Sequence, residues 1–124
     1  MRQLLRSIVE VGTGRKADAP GFRIGGKTGT AERGDKAGYH RDQVIATFAA
    51  AFPMDHPRYV VIAMLDQPKA NAATSFQRTA AWNAAPVVGR VIPRIGPLLG
   101  IMPDLTRDID ITDIAPLIAN GNGE

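Results

Sequence analysis

Met1, Leu4, Leu5, Ile8 and Val9 recur at helical spacing over residues 1–11, with Arg2, Arg6 and Glu10 between them. This predicts an amphipathic helix whose apolar stripe packs on a core, ended by Gly12 and Gly14. Residues 12–21 are a polar loop rich in Gly and Pro. Phe22 and Ile24 then alternate with Arg23, the period of a short strand that continues through the glycine-rich GFRIGGKTGTAE. Residues 33–43 are charged and read as a loop. VIATFAAAF (44–52) and YVVIAMLD (59–66) are apolar runs with β-branched and aromatic members, separated by a turn holding Pro53, Asp55 and Pro57. They predict a β-hairpin of two mostly buried strands. From Asn71 to about Ile95 the chain is Ala-rich and helical in character. One helix is expected to start near Asn83, with Pro86 in its first turn, and to end at Pro93, Gly96 and Pro97. Trp82 is expected to anchor that last helix to the sheet, and Asp66 to cap its strand or bond the following loop. Residues 96–124 carry Pro97, Pro103, Pro116 and a GNGE end, and are expected to be a loosely packed tail.

The order helix, strand, strand, strand, helix, tail has no helical crossover between strands. The fold class is therefore α+β: an antiparallel sheet of about three strands flanked by N- and C-terminal helices. Three strands and two helices make a small core, and so apolar a hairpin prefers cover on both faces. The chain reads as part of something larger. A lone sheet with one covered face is expected to be poorly soluble or to dimerise.

With 124 residues, 44% apolar and 22% charged, the chain has an ordinary globular composition. The net charge of +3 conceals a split: residues 1–102 carry 14 basic and 7 acidic groups, and residues 103–124 carry 1 and 5. A basic body suits an anionic ligand, but the charge is diffuse and lacks the Lys/Arg runs of a nucleic-acid binder. No cysteine is present, which excludes disulfides and Cys-ligated metal sites, and His40 and His56 make no metal pattern. No apolar run approaches the ~18 residues of a spanning helix, and the N-terminus lacks the apolar core of a signal peptide.

The chemistry concentrates in Gly21–Glu32. Residues 21–28 satisfy G-x-x-x-x-G-K-[ST], and the strand ending at Asp66 imitates the second acidic element of a P-loop NTPase. The context argues against a phosphate loop. A polar stretch precedes Gly21, and Gly29, Gly34 and Gly38 follow where a helix should begin at Lys27-Thr28. The competing reading takes Lys27-Thr28-Gly29-Thr30 as the K-T-G element of penicillin-recognising serine acyltransferases. GGKTGTAE on a strand, then a loop, then FAAAFP and YVVIAMLD, then Ala85-Pro86-Val87-Val88, closely resembles the C-terminal part of class B penicillin-binding proteins over residues 1–95. The cell-division D,D-transpeptidases are the branch it is most similar to.

That resemblance implies a partial transpeptidase (β-lactamase-like) fold and an enzyme that opens a D-Ala-D-Ala amide with a serine, without a cofactor. Its substrate would lie extended beside an edge strand. Gly29 would let the peptide lie flat, and Thr28 and Thr30 would present hydroxyls to the terminal carboxylate. The Thr30 N–H would serve in the oxyanion hole. Lys27 would supply charge and help shuttle protons. Arg23, Arg33, Lys36 and Arg41 would either guide an anionic substrate or form a solvated loop. The implied partners are peptidoglycan stem peptides, β-lactams, the N-terminal remainder of the domain and divisome membrane proteins, at the periplasmic face of the bacterial inner membrane. The departure is equally plain. Ser7 and Ser75, the only serines, are followed three residues later by Glu10 and Arg78, so neither S-x-x-K nor S-x-N occurs. The chain alone is expected to be inactive, and a non-catalytic interaction fragment is the alternative.

Overall fold

A computed structural model describes residues 1–35, 38–114 and 116–117. Five elements carry the fold: α1 (Arg2–Glu10), β1 (Gly25–Asp35), β2 (Gly38–Phe52), β3 (Tyr59–Asp66) and α2 (Ala84–Ile95), with single 3-10 turns at Arg15–Ala17, Ala72–Thr74 and Pro97–Leu99. The strands form one antiparallel sheet in the order β1-β2-β3, so β1 and β3 are its two edges. The predicted hairpin is present in the register Phe52↔Tyr59 to Ile45↔Asp66, but β3 is not mostly buried as expected: it is an edge strand whose residues alternate between half-buried and exposed.

Two boundaries differ from the sequence pattern. The β1–β2 ladder continues past a bulge at Glu32/Arg33 through Arg33↔His40 and Asp35↔Gly38, where a charged loop is expected. The Ala-rich stretch after Asn71 is helical only from Ala84. Before it lies a 3-10 turn followed by Ser75 and Phe76, both left-handed at φ 50° and 60°. Asn83 caps α2, its side chain accepting a hydrogen bond from Ala84 N at 2.6 Å.

Directly paired residues of an antiparallel sheet share a face. On one face Phe48, between Ala46 and Ala50, meets Val9 of α1 and Val88 and Ile92 of α2 in the main core. On the other, Val60, Ile62 and Met64 of β3 stand 69%, 64% and 67% exposed beside their partners Ala51, Ala49 and Thr47. Three large apolar side chains in a row on an exposed sheet edge favour association. We expect the isolated chain to sediment as a dimer or larger species. Ile62→Lys with Met64→Lys should return it to monomer with little change in melting, because neither side chain is buried. A monomeric wild-type chain would overturn this.

Two buried arginines organise the periphery. Arg6, only 6% exposed, donates to Asp108 at 2.8–3.1 Å, to Asp18 at 3.1 Å and to the Ile24 carbonyl at 3.0 Å. Arg23 donates to Asp55 at 2.6 Å and to the carbonyls of Gly21 and Asp104. Burial alone pushes the Asp55 carboxyl up. The hydrogen bond and charge of Arg23, its own backbone amide and the charge of Arg107 outweigh that and hold it below the usual carboxylate range. The segment after α2, expected to be a loosely packed tail, is tied to the body by several contacts. Ile101 joins the core, Asp104 N donates to the Gly21 carbonyl, Asp108 grips Arg6, and Gln3 donates to the Asp110 carbonyl. Leu98, Met102 and Leu105 in the same segment are exposed. Among the described residues no helix is long and apolar enough to cross a membrane.

Candidate functional site

Lys27-Thr28-Gly29-Thr30 lies inside β1, a strand paired on one side only. Lys27 therefore opens no helix, and the phosphate-loop reading falls: without a helix N-terminus at Lys27-Thr28 there is no fan of N–H groups to cradle a phosphate. The strand alternation sets the site's geometry. Thr28 and Thr30 pair with Phe48 and Ala46 and so share the helix-bearing face. Lys27 and Gly29 pair with Ala49 and Thr47 on the other. The Lys27 ammonium bends back to the strand, donating to the Thr28 carbonyl at 3.0 Å and, more weakly, to Thr28 Oγ1 at 3.4 Å.

The three glycines of the segment differ in what surrounds them. A Cβ on Gly25 would fall 2.6 Å from Met54, and one on Gly26 would fall 2.5 Å from the Ala49 carbonyl oxygen and 2.6 Å from the Phe48 ring. A Cβ on Gly29 would meet only the Thr47 carbonyl oxygen, at 3.9 Å. The chain's own packing requires the first two glycines, whereas a Cβ on the third would make only an ordinary van der Waals contact.

Thr28 and Thr30 line a cavity of about 680 Å³ closed by Gly12, Thr13, Arg15 and Lys16 on one side and by Thr79–Trp82 on the other. Thr30 also borders a second cavity, of about 680 Å³, lined by Glu32, Val44 and residues 76–79. Between the two, the Ala80 N–H donates to Thr30 Oγ1 at 3.1 Å, so the loop before α2 is fastened to the strand at that threonine. Lys16 sits over the Trp82 ring, 4.5 Å from its centroid. Trp82 thus meets the loop that precedes β1.

Of the four cations expected around this segment, Arg23 is displaced. It is 3% exposed and committed to Asp55, because its left-handed backbone (φ 52°) turns it away from the strand period. Lys36 and the side chains of Arg33 and Arg41 lie outside the described residues. Neither serine resembles a nucleophile: Ser7 is buried in α1 with its hydroxyl on the Leu4 carbonyl at 2.7 Å, and Ser75 caps an exposed 3-10 turn. Among the described residues no group of three or more His, Asp or Glu could hold a metal ion. Thr13, Arg15 and Lys16 carry no motif. Nothing in their spacing from Thr28 signals that the chain folds them beside it.

An antiparallel sheet with two helices packed on one face, and K-T-G-T on a free edge above a hydroxyl-lined cavity, is the arrangement of a penicillin-recognising transpeptidase domain. The family model described as the penicillin binding protein transpeptidase domain matches residues 1–88, and the chain belongs to that family. It is 46% identical over 110 residues to a probable peptidoglycan D,D-transpeptidase FtsI of Caulobacter vibrioides, and 39% identical over 103 residues to stage V sporulation protein D of Bacillus subtilis. Those matches take in 82% and 83% of this chain but 19% and 15% of the relatives, so the chain spans under a fifth of their length. Among solved structures, penicillin-binding protein 3 of Mycobacterium tuberculosis, complexed with ampicillin, superposes with a TM-score of 0.66 at 32% identity. The match covers 86% of this chain and 25% of that one. The transpeptidase domain of penicillin-binding protein 3 from Burkholderia pseudomallei gives 0.67 at 31%, over 83% and 30%. The structure is thus that of part of a transpeptidase domain.

Proposed function

We propose that this chain supplies the substrate-binding strand of a serine D,D-transpeptidase that cross-links peptidoglycan stem peptides during septal wall synthesis and binds β-lactams. The observation that carries the reading is the free edge of β1, with Thr28 and Thr30 over one cavity and a Gly29 that the chain's own packing does not require, in a chain of this family. In this reading a D-Ala-D-Ala terminus lies along the edge as an added strand. Thr28 and Thr30 bond its carboxylate, and Gly29 lets the backbone approach. The Thr30 N–H contributes to the oxyanion hole, and Lys27 assists proton transfer at the reacting serine. That serine and its lysine lie outside this chain, in the N-terminal remainder of the domain. The parent would act at the periplasmic face of the bacterial inner membrane among divisome proteins. Residues 1–95 are the transpeptidase portion, and 96–124 are an extension whose Asp108 and Asp110 contact α1. The absence of S-x-x-K favours a second reading, a non-catalytic interaction module that keeps the sheet.

Labelling separates the two. The purified chain should show no mass shift with excess benzylpenicillin. Joined to a transpeptidase N-terminal portion that carries S-x-x-K, it should take up one fluorescent penicillin per molecule, and Thr28→Val with Thr30→Val should slow that uptake at least about tenfold. A joined polypeptide that folds but does not label would establish the non-catalytic reading. An adduct on Ser7 or Ser75 of the lone chain would overturn the placement of the nucleophile elsewhere.

A further inference from the structure

We propose that residues 103–108 form a clamp that positions the K-T-G strand, with Arg6 and Arg23 as its positioning residues. The proposal deepens the transpeptidase reading and rests on it for its catalytic half. The clamp lies beyond residues 1–88, the part that the family model matches. An edge that binds a ligand must be held in place before it can present its groups to a reacting centre. β1 has little of its own to hold it. It pairs with β2 on one side only, and Gly25, Gly26 and Gly29 give it no side chains to pack. Its N-terminal root, residues 21–24, precedes the ladder and is held by groups outside the sheet.

The clamp grips that root at several points. Asp104 turns both of its backbone groups to it: its N–H donates to the Gly21 carbonyl at 2.9 Å, and its carbonyl accepts from the Arg23 guanidinium at 3.2 Å. Gly21 is left-handed (φ 85°), and a Cβ there would fall 2.8 Å from the Pro103 side chain, so clamp and root are in direct contact. One oxygen of Asp55 accepts from Arg23 at 2.6 Å and the other pairs with Arg107 at 3.0 Å, which ties the clamp to the turn between β2 and β3 as well. Arg6 acts at the far end of the root. Its guanidinium donates to the Ile24 carbonyl, the last before β1, at 3.0 Å and to Asp108 at 2.8 Å. Both arginines are buried, and their charge-assisted bonds run in fixed directions from a planar fork. Thr28 lies four residues past Ile24, about 13 Å along an extended strand. A shift of the root is carried along that short length to the K-T-G segment, where a misplacement of ~1 Å can cost a reaction about a hundredfold in rate.

Two variants weaken the clamp and leave residues 27–30 untouched. A chain ending at Met102 keeps Ile101 in the core and loses the clamp. Arg107→Gln with Asp108→Asn keeps the full length and removes the ionic ties to Asp55 and Arg6. The first readout is hydrogen exchange of the chain by mass spectrometry. The shortened chain should exchange the amides of residues 25–30 at least about tenfold faster, and the double variant about threefold faster, with residues 61–65 of β3 unchanged in both. The second readout is penicillin labelling of the joined polypeptide. Both variants should keep the affinity of the non-covalent complex within about threefold of wild type and lower the acylation rate constant, the shortened one at least about tenfold. A segment that only added stability would speed exchange at 25–30 and 61–65 alike, or lower the fraction labelled and not the rate constant. Either result, or unchanged exchange at 25–30, would overturn the proposal. A wild-type joined polypeptide that folds without labelling would count against the transpeptidase reading instead, and exchange would then decide the clamp by itself.

Discussion

Gly26→Ala is expected to destabilise the chain by about 3 kcal/mol, while Gly29→Ala, three residues along the same strand, should change stability by less than about 0.5 kcal/mol. Gly26 lies on the core face of β1. Its added Cβ would press on the Phe48 ring at 2.6 Å and on the Ala49 carbonyl oxygen at 2.5 Å. The ring could move only by disturbing the centre of the core, since Phe48 is fully buried between Ala46 and Ala50. The carbonyl belongs to the neighbouring strand and cannot move without breaking the ladder. The clash with backbone dominates, so trimming the ring should not relieve it. Phe48→Leu combined with Gly26→Ala should be no more stable than Gly26→Ala alone. Thermal melts by circular dichroism would show a drop of about 10 °C for Gly26→Ala. Melts of the two glycine variants that coincide would refute the packing argument.

Gly29 separates structural from functional use of a glycine. Among the described residues the nearest atom to a Cβ at Gly29 would be the Thr47 carbonyl oxygen at 3.9 Å, an ordinary contact, and the Gly29 backbone is not left-handed. Local propensity favours almost any other residue at that point of a strand. What a Cβ would obstruct is a ligand backbone laid along the edge. Gly29→Ala should therefore leave melting unchanged and slow penicillin labelling of the joined polypeptide at least about tenfold, roughly the loss of one well-made contact in the reacting complex. Unchanged labelling would mean that the ligand does not approach the strand at Gly29.

The parts of this fold that were legible in the sequence are those where burial imposes a period. VIATFAAAF sends Ala46, Phe48 and Ala50 into the core, Val61, Ala63 and Leu65 of YVVIAMLD pack against it, and their hairpin appears in the expected place. The stretch 33–43 was not legible as strand. There the ladder has run past the helices, so backbone hydrogen bonds continue with no apolar alternation to mark them. At Phe22-Arg23-Ile24 the alternation points to a strand, yet β1 begins only at Gly25. Phe22 and Ile24 are buried, but Arg23 turns left-handed to reach Asp55, and that pairing overrides the strand. The site divides the same way. Lys27 to Thr30 stand out as a motif within four consecutive residues. The opposite wall, Thr13 to Lys16 and Thr79 to Trp82, is brought to them only by the tertiary path of α1 and α2, for which local pattern carries no signal.

Arg6→Ala should cost about 2–3 kcal/mol and release the C-terminal segment from α1. The pattern of residues 1–11 sets Arg6 on the polar side of an amphipathic helix, where a surface pair would contribute under about 1 kcal/mol. The structure buries it instead, with its guanidinium divided among Asp108, Asp18 and the Ile24 carbonyl. Burial disfavours the charged guanidinium. The Asp108 hydrogen bond and the charges of Asp18, Asp108 and Glu10 overcome this, holding its pKa above the ordinary arginine range. Removing the side chain leaves the Ile24 carbonyl without that donor. Two aspartates also lose their partner, but their side chains are 36% exposed and can take up water, which keeps the loss below that of a fully buried pair. Arg6→Lys keeps the charge but cannot reach three partners at once, and should recover less than half of the loss. Asp108→Asn tests the tail separately. It weakens the contact between α1 and residue 108 and a local bond from Ile109 N, so the sheet should melt within about 1 kcal/mol of wild type while protease cuts the segment after Gly100 sooner. Equal protease resistance in Asp108→Asn and wild type would mean that Ile101 and Asp104 alone hold the segment. The acidic balance of residues 103–124 against the basic body would then have no part in fastening it.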